Sequence, residues 1–502
     1  MLFGKRYDPK YRILPIILWS IFFDALVVIS VGLFVVSDWY KKTYDLEFKE
    51  LLYTLASPLK GTGEGTLELI RGIVVPPMVI TAIVFAFLAV IFAFRKPIFR
   101  HFRRIGALLC VICLIVSVVF SMNALRIPGY LKAWGQQTTI YEDYYVDPDS
   151  VVISAGEEGT KSLLYIYLES METTYASKED GGCQPENNYI PGLTQLASKE
   201  ISFTDDPNGK LGGFHSISGS TWTMGALLAT TSGIPFSFPL GANANEISER
   251  EYFASGLTTL GDILAEKGYY QEFLCGSDSV FGGRKAYFQQ HGNYEIFDFY
   301  TARQKGYIPE DYYVWWGFED AILYQIAQNE LLRLSEMEQP FNLTMLTVDP
   351  HHVDGYVCSQ CGTEYEGRLE NVLQCADNQL TSFIEWCKQQ SFYEDTTIII
   401  SGDHPRMDVT LVGDAPLMDR TIYNCFLNSA VSPQQSTSGR NFTSLDMFPT
   451  ILAAMGFTVE GDRLGLGVNL FSTLPTLSES LGYGYLDQEV NKFSEYYILN
   501  FS

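Results

Sequence analysis

The stretch TTIIISGDHPRMD, residues 396–408, has the composition of a buried β-strand that ends in reactive side chains. Its two Thr and three Ile residues are all β-branched, which favours a strand inside a sheet. The run stops at Gly402 and is followed directly by Asp403 and His404. A carboxylate and an imidazole at this position are candidate metal ligands or acid–base groups. The stretch therefore predicts a sheet with chemistry at its edge.

Short apolar strands alternate with helical stretches from residue 161 to residue 502. SLLYIYLES (162–170) and FNLTMLTVDPHH (341–352) are typical of strands, whereas LENVLQCADNQLTSFIEWCKQQ (369–390) is typical of a helix. Such alternation predicts an α/β fold with a central, mostly parallel sheet flanked by helices. We expect residues 161–502 to form one catalytic domain.

The first part of the chain contains three long apolar runs, residues 13–36, 69–94 and 106–122. Each approaches the roughly 20 residues that a helix needs to cross a bilayer. We therefore predict an all-α membrane anchor with three transmembrane helices over residues 1–127. A polar and aromatic linker is predicted over residues 128–160.

Basic residues predict the orientation of this anchor. They precede the first apolar run, and FRKPIFRHFRR (94–104) joins the second run to the third. Lys and Arg near membrane spans favour the cytoplasmic side. We therefore expect a multi-pass protein of the bacterial cell membrane whose C-terminal domain is extracytoplasmic.

The charge of the chain is distributed unevenly. Residues 1–129 carry 15 Lys and Arg against 8 Asp and Glu, whereas the remainder carries 19 against 50. Nucleic-acid binding requires a basic surface, so the acidic remainder argues against it. An anionic substrate would have to be held by a local basic or metal site.

Three predicted strands end in side chains that bind metals or transfer protons. These side chains are Glu169, then Asp349, His351 and His352, then Asp403 and His404. Ligands of open α/β sheets bind beyond the carboxyl ends of the strands, so we expect these ends to converge. Carboxylate oxygens with one imidazole suit a single divalent ion, Mn²⁺ first, with Mg²⁺ or Zn²⁺ possible.

A candidate nucleophile occurs in GGFHSISGSTWTMGALLATTSGIP, residues 212–235. Its Gly- and Ser-rich start gives way to a helix former, which places Thr221 or Thr223 at a helix start. Either Thr could simply cap the helix. The same position also suits a nucleophile, because the amino end of a helix stabilises a bound phosphate. Position alone leaves both interpretations open.

Cys358 and Cys361 form an isolated C-x-x-C pair. This pattern is compatible with a local disulfide or with free thiols. It is a weak signal for structural zinc, because such a site requires four ligands.

Taken together, four segments resemble the lipoteichoic acid synthase and phosphoglycerol transferase family of the alkaline phosphatase and sulfatase superfamily. The segments are Glu169, SGSTWTMGALLATTSGIP (218–235), TVDPHH (347–352) and SGDHPRM (401–407). The resemblance covers roughly residues 160 to 475, and the motifs are most similar to the branch that decorates periplasmic glucans with phosphoglycerol. It implies an alkaline phosphatase-like fold.

The resemblance also implies a ligand set for the metal, consisting of Glu169, a nucleophilic Thr, Asp403 and His404. In the family the nucleophile lies about ten residues before the Gly that ends its helix. Thr223 is ten residues before Gly233, so Thr223 is preferred and Thr221 is the second choice.

Substrate-binding residues are implied in the same way. The phosphate-binding histidine of the family falls on His351, with His352 as a neighbour that could substitute. Phe281 fits an aromatic residue that holds glycerol phosphate in the lipoteichoic acid synthases, but the accompanying Arg is displaced here to Arg284. Arg406 is a candidate phosphate contact by position only.

The implied function is transfer of glycerol phosphate from phosphatidylglycerol through a phosphothreonine-type intermediate, with release of diacylglycerol. The expected acceptor is an extracytoplasmic glycan, glycolipid or polyglycerolphosphate chain. A phosphoethanolamine transferase or a phosphodiesterase could use the same site, and a non-catalytic membrane-anchored sensor is an alternative of another class. The C/S-x-P-x-R signature of sulfatases does not precede the nucleophile helix, which disfavours sulfate ester hydrolysis.

Overall fold

The computed structural model describes residues 10–44, 46–56, 72, 75–84, 99–237, 253–412 and 415–501. The chain divides into two compact units. One unit comprises residues 1–44 and 64–129, and the other comprises residues 45–63 and 130–502. The short segment after the first helix therefore belongs to the same unit as the long C-terminal part.

The helices are numbered in chain order. They are α1 (Lys10–Thr43), α2 (Phe48–Ala56), α3 (Val75–Val84), α4 (Phe99–Ala124), α5 (Ile127–Trp134), α6 (Ile140–Tyr144), α7 (Pro191–Lys199), α8 (Thr223–Ser232), α9 (Leu260–Glu266), α10 (Arg284–Gln290), α11 (Phe299–Gln304), α12 (Asp320–Ser335), α13 (Arg368–Cys387), α14 (Met447–Ala454), α15 (Leu477–Leu481), α16 (Tyr483–Val490) and α17 (Glu495–Phe501).

The strands are numbered in the same way. They are β1 (Ile153–Ala155), β2 (Ser162–Leu168), β3 (Phe214–His215), β4 (Tyr270–Cys275), β5 (Glu295–Phe297), β6 (Phe341–Leu346), β7 (Thr396–Gly402), β8 (Thr421–Ile422), β9 (Asn424–Leu427), β10 (Phe457–Val459), β11 (Arg463–Leu464) and β12 (Gly467–Val468).

In the first unit, α1 packs against α4. The Ser37 hydroxyl donates to the Ser121 hydroxyl over 2.8 Å, and the rings of Phe34 and Phe120 lie 4.7 Å apart. Within the described ranges, one helix is long and apolar enough to cross a membrane, through its stretch Ala107–Ala124.

The three predicted spans are described to different extents. The first lies within α1 and the third within α4. The second, residues 69–94, lies mostly outside the described residues, which include only residue 72 and α3 from it. The three-span anchor therefore stays a prediction.

The second unit is built on a six-stranded sheet with the order β5-β4-β6-β2-β7-β9. The first five strands are parallel, and β9 is antiparallel to β7. Strands β6 and β7 are buried along their whole length, as expected for a parallel sheet covered on both faces. This confirms the predicted α/β fold.

Alternate side chains of β2 fill two separate cores. Tyr165 and Tyr167 contribute to one hydrophobic cluster, whereas Leu164 and Ile166 contribute to another. Successive residues of a strand point to opposite faces of its sheet, which explains this division. The helices that cover both faces hold the sheet rigid beneath its carboxyl edge.

The register of the central strands brings the predicted strand ends together. Leu168 of β2 pairs with Gly402 of β7, and Tyr167 pairs with Leu346 of β6. The residues that follow each strand therefore leave the sheet side by side at one edge. Glu169 and Asp403 are the first of them on β2 and β7.

A buried carboxyl group in β4 predicts a loss of stability as the pH rises from about 4.5 to 8. Glu272 in β4 is fully buried and binds Arg333, which also binds Glu330. Burial, with a further contribution from the Glu330 carboxylate, raises the pKa of Glu272 from 4.5 to about 8. The stabilisation from its protonated form is complete below pH 4.5 and is lost as pH rises through 8.

We therefore expect Glu272→Gln to flatten the decline of the unfolding midpoint between pH 5 and pH 8. The slope removed is at most about 1.4 kcal/mol per pH unit. Thermal unfolding of the purified full-length protein across this range measures the effect. Identical pH profiles for wild type and variant would show that Glu272 does not titrate in this window.

Candidate active site

Glu169, Asp403 and His404 form a buried cluster at the carboxyl edge of the sheet. One ligand atom from each lies within 4.8 Å of the others. His404 Nε2 is 3.4 Å from Asp403 Oδ2 and 3.7 Å from Glu169 Oε1. Each side chain is at most 4% exposed. Two strand ends thus supply three candidate ligands.

The backbone around the cluster fixes these ligands. Asp403 Oδ1 accepts hydrogen bonds from the backbone N–H groups of Ser170 and His404, both over 2.8 Å. Gly402 allows the two turns to approach, because a Cβ at this position would lie 2.0 Å from the Met171 carbonyl oxygen. The requirement for glycine here is therefore close packing of the backbone.

The tautomer of His404 leaves one ring nitrogen free to act as a ligand. Nδ1 lies 2.8 Å from the carbonyl oxygen of Pro405, which can only accept a hydrogen bond. Nδ1 therefore carries the proton, and Nε2 presents its lone pair to the cluster. A hydrogen bond from the other ring nitrogen to a carbonyl oxygen is the usual way in which a metal-binding imidazole is oriented.

The electrostatics of the cluster suit a bound cation. Asp403 Oδ2 is buried and accepts no hydrogen bond from the described residues. Burial raises the pKa of Asp403 to about 7, and the Glu169 carboxylate adds to this against the opposing effect of His404. Burial alone would lower the pKa of His404, but the carboxylates of Asp403 and Glu169 raise it. A divalent cation would relieve this crowding of buried anionic groups.

Thr223 lies at the start of α8 with its hydroxyl directed to the cluster. Its Oγ1 is 3.3 Å from His404 Nε2. The N-cap of α8 is Trp222, and α8 ends at Gly233, which adopts a left-handed conformation with a φ of 67°. The Thr223 hydroxyl therefore combines proximity to the candidate ligands with a place in the first turn of a helix, where the dipole favours anions.

Thr221 faces a different group. Its hydroxyl donates to the Glu50 carboxylate over 3.0 Å, and both side chains are buried. The Ser218 hydroxyl likewise donates to Glu47 over 2.5 Å. The segment from Glu47 through α2 thus holds the loop that leads into the nucleophile helix.

Replacement of Glu50 should show whether this contact positions Thr223. Burial raises the pKa of Glu50 to about 8, so Thr221 binds a carboxyl that is mostly neutral at pH 7. Glu50→Ala is expected to lower the turnover rate by up to about tenfold without loss of metal, because a neutral buried hydrogen bond contributes roughly 0.5–1.5 kcal/mol. Glu50→Gln retains an acceptor and should keep most activity. Glu142→Ala, which alters an exposed carboxylate of α6, serves as the matched control. A wild-type rate in Glu50→Ala would exclude a positioning role.

His351 is the first of three aromatic rings that lie in a row. Its ring lies 4.7 Å from that of Trp316, which in turn lies 5.3 Å from the ring of Phe281. His351 Nδ1 donates to the His352 carbonyl oxygen over 2.7 Å. Desolvation lowers the pKa of His351, partly offset by the Glu169 carboxylate. Since Nδ1 carries the proton of the neutral ring, Nε2 is left as a hydrogen-bond acceptor that suits a substrate hydroxyl.

His352 is a desolvated neutral ring, and Asp349 is hydrogen-bonded to α12. Desolvation, followed by repulsion from His351, lowers the pKa of His352 to about 3, so its ring is neutral. Asp349 exchanges hydrogen bonds with Asp320 at the start of α12, each carboxylate accepting from the backbone N–H of the other. Asp349 therefore anchors the end of the strand to α12.

The two predicted arginines bind carbonyl or carboxylate groups of the protein. Arg284 donates to the carbonyl oxygens of Asp278 and Phe281 over 2.8 and 3.0 Å. Arg406 is fully buried and binds Asp408 and the Pro350 carbonyl oxygen. These contacts favour positioning of the surrounding loops as the role of both side chains.

One buried ion pair beside the site has no signal in the sequence. Arg420 binds both carboxylate oxygens of Glu172 over 2.6 and 2.8 Å and also donates to the carbonyl oxygen of Arg406. The pair joins the turn after β2 to the loop after β7. Glu172 and Arg420 are separated by 248 positions, so only the fold reveals their contact.

The chain is similar in sequence to known proteins. Residues 163–457 match the family model described as Sulfatase. Phosphoglycerol transferase I of Salmonella choleraesuis (strain SC-B67) is 28% identical over 467 residues, which cover 89% of this chain and 56% of the relative. The chain spans about half the length of the curated relatives it matches.

Two solved structures show the same fold. A protein of the alkaline phosphatase superfamily from Vibrio parahaemolyticus superposes with a TM-score of 0.50 at 21% identity, covering 67% of this chain and 76% of that one. The integral membrane protein lipooligosaccharide phosphoethanolamine transferase A of Neisseria meningitidis superposes with a TM-score of 0.52 at 14% identity. That match covers 88% of this chain and 84% of the other. These likenesses confirm the predicted fold, and the family model and the curated relatives confirm the resemblance predicted from the motifs.

Proposed function

The chain belongs to the sulfatase family, and we propose that it is a membrane-anchored, metal-dependent phosphoglycerol transferase. The donor would be phosphatidylglycerol, and diacylglycerol would leave. The observation that carries this proposal is the convergence of the Thr223 hydroxyl on the buried Glu169, Asp403 and His404 cluster. A hydroxyl, an anion-stabilising helix start and a cation site are the parts that phosphoryl transfer needs.

The choice of phosphoglycerol is supported by the curated relatives, which are named phosphoglycerol transferase I and align with most of this chain. Membership of the sulfatase family is compatible with this choice, since one fold hosts several chemistries. The missing C/S-x-P-x-R signature argues against sulfate ester hydrolysis. The membrane anchor would keep the site beside a lipid donor.

The proposed reaction has two displacements at phosphorus. Thr223 Oγ1 loses its hydroxyl proton and attacks the phosphorus of the donor, the bond to the diacylglycerol oxygen breaks, and that oxygen takes up one proton in turn. An acceptor hydroxyl then displaces Thr223 from the resulting glycerophosphoryl-threonine. Covalent catalysis of this kind divides one difficult step into two.

The residues around Thr223 have separate roles in this scheme. Glu169, Asp403 and His404 would hold the cation, with Mn²⁺ the preferred ion. When bound, the cation supplies positive charge that favours ionisation of a hydroxyl and stabilises the transition state. His351 would bind a phosphate oxygen through Nε2 once that atom is protonated, since Nδ1 already donates to the His352 carbonyl oxygen. Phe281 and Trp316 would line the path of the glycerol group, since their rings continue from His351.

The test is release of diacylglycerol by the purified full-length protein, in vesicles of phosphatidylglycerol with Mn²⁺. We expect release from phosphatidylglycerol and none from phosphatidylethanolamine vesicles of the same chain composition. Release from phosphatidylethanolamine alone would assign phosphoethanolamine transfer instead. Free glycerol phosphate formed at the rate of diacylglycerol, despite added glycan or polyglycerolphosphate acceptors, would assign phosphodiester hydrolysis. Inactivity on both lipids would contradict the proposal.

A further inference from the structure

Three cysteines meet where the loop that carries the C-x-x-C pair packs against α13. Cys358 Sγ lies 3.7 Å from Cys361 Sγ and 3.7 Å from Cys375 Sγ. All three sulfur atoms lie within 4.8 Å of one another. Cys358 and Cys375 are buried, and Cys361 is partly exposed. The fold thus adds a third thiol to the C-x-x-C pair.

The spacing of the sulfur atoms suits a shared metal ion. Thiolates bind Zn²⁺ tetrahedrally at about 2.3 Å, which places neighbouring sulfurs about 3.8 Å apart. Both distances from Cys358 have this length. Cys358 is also equally close to the two other thiols, so the geometry singles out neither pair for a covalent bond.

Hydrogen-bond donors are directed at the sulfurs. Gln379 Nε2 donates to Cys375 Sγ over 3.1 Å and lies 3.7 Å from Cys358 Sγ. The backbone N–H of Gln360 donates to Cys358 Sγ over 3.4 Å. Donors of this kind favour the thiolate over the thiol. Since several buried thiolates repel one another, their ionisation requires a cation among them.

An entry path for an ion is also present. A surface cavity of about 250 Å³ is lined by Gln360, Cys375 and Gln379, among others. An ion can therefore reach the cluster from solvent.

We propose that Cys358, Cys361 and Cys375 bind a thiophilic divalent cation of the Zn²⁺ class, separately from the carboxylate–histidine cluster. The three thiols release their protons on binding, and a water molecule completes the tetrahedron. The bound ion fastens the loop after His351 and His352 to α13. It therefore holds the loop of the phosphate-binding histidine without touching substrate.

The experiment is titration of the reduced, metal-free, full-length protein with Co²⁺, followed by displacement with Zn²⁺. A thiolate-to-cobalt charge-transfer band reports this site alone, because the Glu169, Asp403 and His404 cluster contains no sulfur. We expect the band in wild type and in Asp403→Asn. Cys375→Ser should lose both the band and one equivalent of bound zinc. Cys183→Ser, which alters a cysteine outside the cluster, should keep both.

The wild-type titration decides the matter even if a variant fails to fold. A reduced wild-type protein that shows no thiolate band with Co²⁺ would overturn the proposal. Protein purified without reductant gives a second test. A disulfide between two of the three cysteines in peptide mapping, with no zinc bound to the protein, would also overturn the proposal. Retention of the band in a folded Cys375→Ser variant would likewise contradict it.

Discussion

Thr223→Ala is expected to lower diacylglycerol release by at least about a thousandfold, as removal of a covalent nucleophile does in other enzymes. The reason is positional, because Thr223 Oγ1 is the hydroxyl that lies 3.3 Å from His404 Nε2 in the first turn of α8. The loss should fall on the turnover rate and leave metal content unchanged. Mass spectrometry of quenched wild type should find a glycerophosphoryl group on Thr223.

The neighbouring threonine provides the matched control. Thr221 lies two positions away, and its hydroxyl donates to Glu50, so Thr221→Ala should retain activity within about tenfold, the cost of one buried hydrogen bond. Thr223→Ser keeps a hydroxyl and should retain part of the rate. The assignment is wrong if Thr223→Ala remains active, or if the adduct is found on Thr221.

Asp403→Asn should remove both the bound metal and the activity. An amide oxygen can still accept the two backbone N–H groups now bound to Oδ1, so the turn should persist. The charge of the buried ligand is lost, however, and the amide nitrogen would point into the cluster. We expect at least about a thousandfold lower rate, comparable to the loss of other groups that stabilise the transition state directly.

Metal content by elemental analysis and the rate of diacylglycerol release together measure this effect. Asp395→Asn is the control, since it makes the same change at an exposed residue that directly precedes the first residue of β7. Treatment of wild type with a chelator should reproduce the defect, and Mn²⁺ should reverse it. Stoichiometric metal and a normal rate in Asp403→Asn would show that the cation binds elsewhere.

Local pattern was sufficient for the scaffold of the site. The β-branched run of β7 and the apolar run of β2 predicted two buried strands. Since both belong to a parallel sheet, their following residues had to emerge at one edge. The pairing of Leu168 with Gly402 puts this into register, which places Glu169 beside Asp403 and His404. The resemblance to the phosphoglycerol transferase family rested on the same segments.

The side-chain contacts around the site could not be predicted from the local sequence pattern. The motifs favoured Thr223 over Thr221 by spacing, and the structure supplies the contacts of each hydroxyl. Arg406 was a candidate phosphate contact by position, yet its guanidinium binds Asp408 and the Pro350 carbonyl oxygen. Side-chain direction depends on neighbours that the chain brings from elsewhere, and spacing along a helix or loop does not specify them.

The sequence by itself thus predicted the fold class, because hydrophobic period and the alternation of strands and helices are local signals, and the family resemblance singled out three candidate ligands among the side chains at the strand ends. Only the tertiary structure decided that Glu50 meets Thr221 and that Cys375 joins Cys358 and Cys361. The first contact joins residues 171 positions apart. Such pairs leave no periodic trace in the chain, since their proximity is a consequence of how complete helices and strands pack.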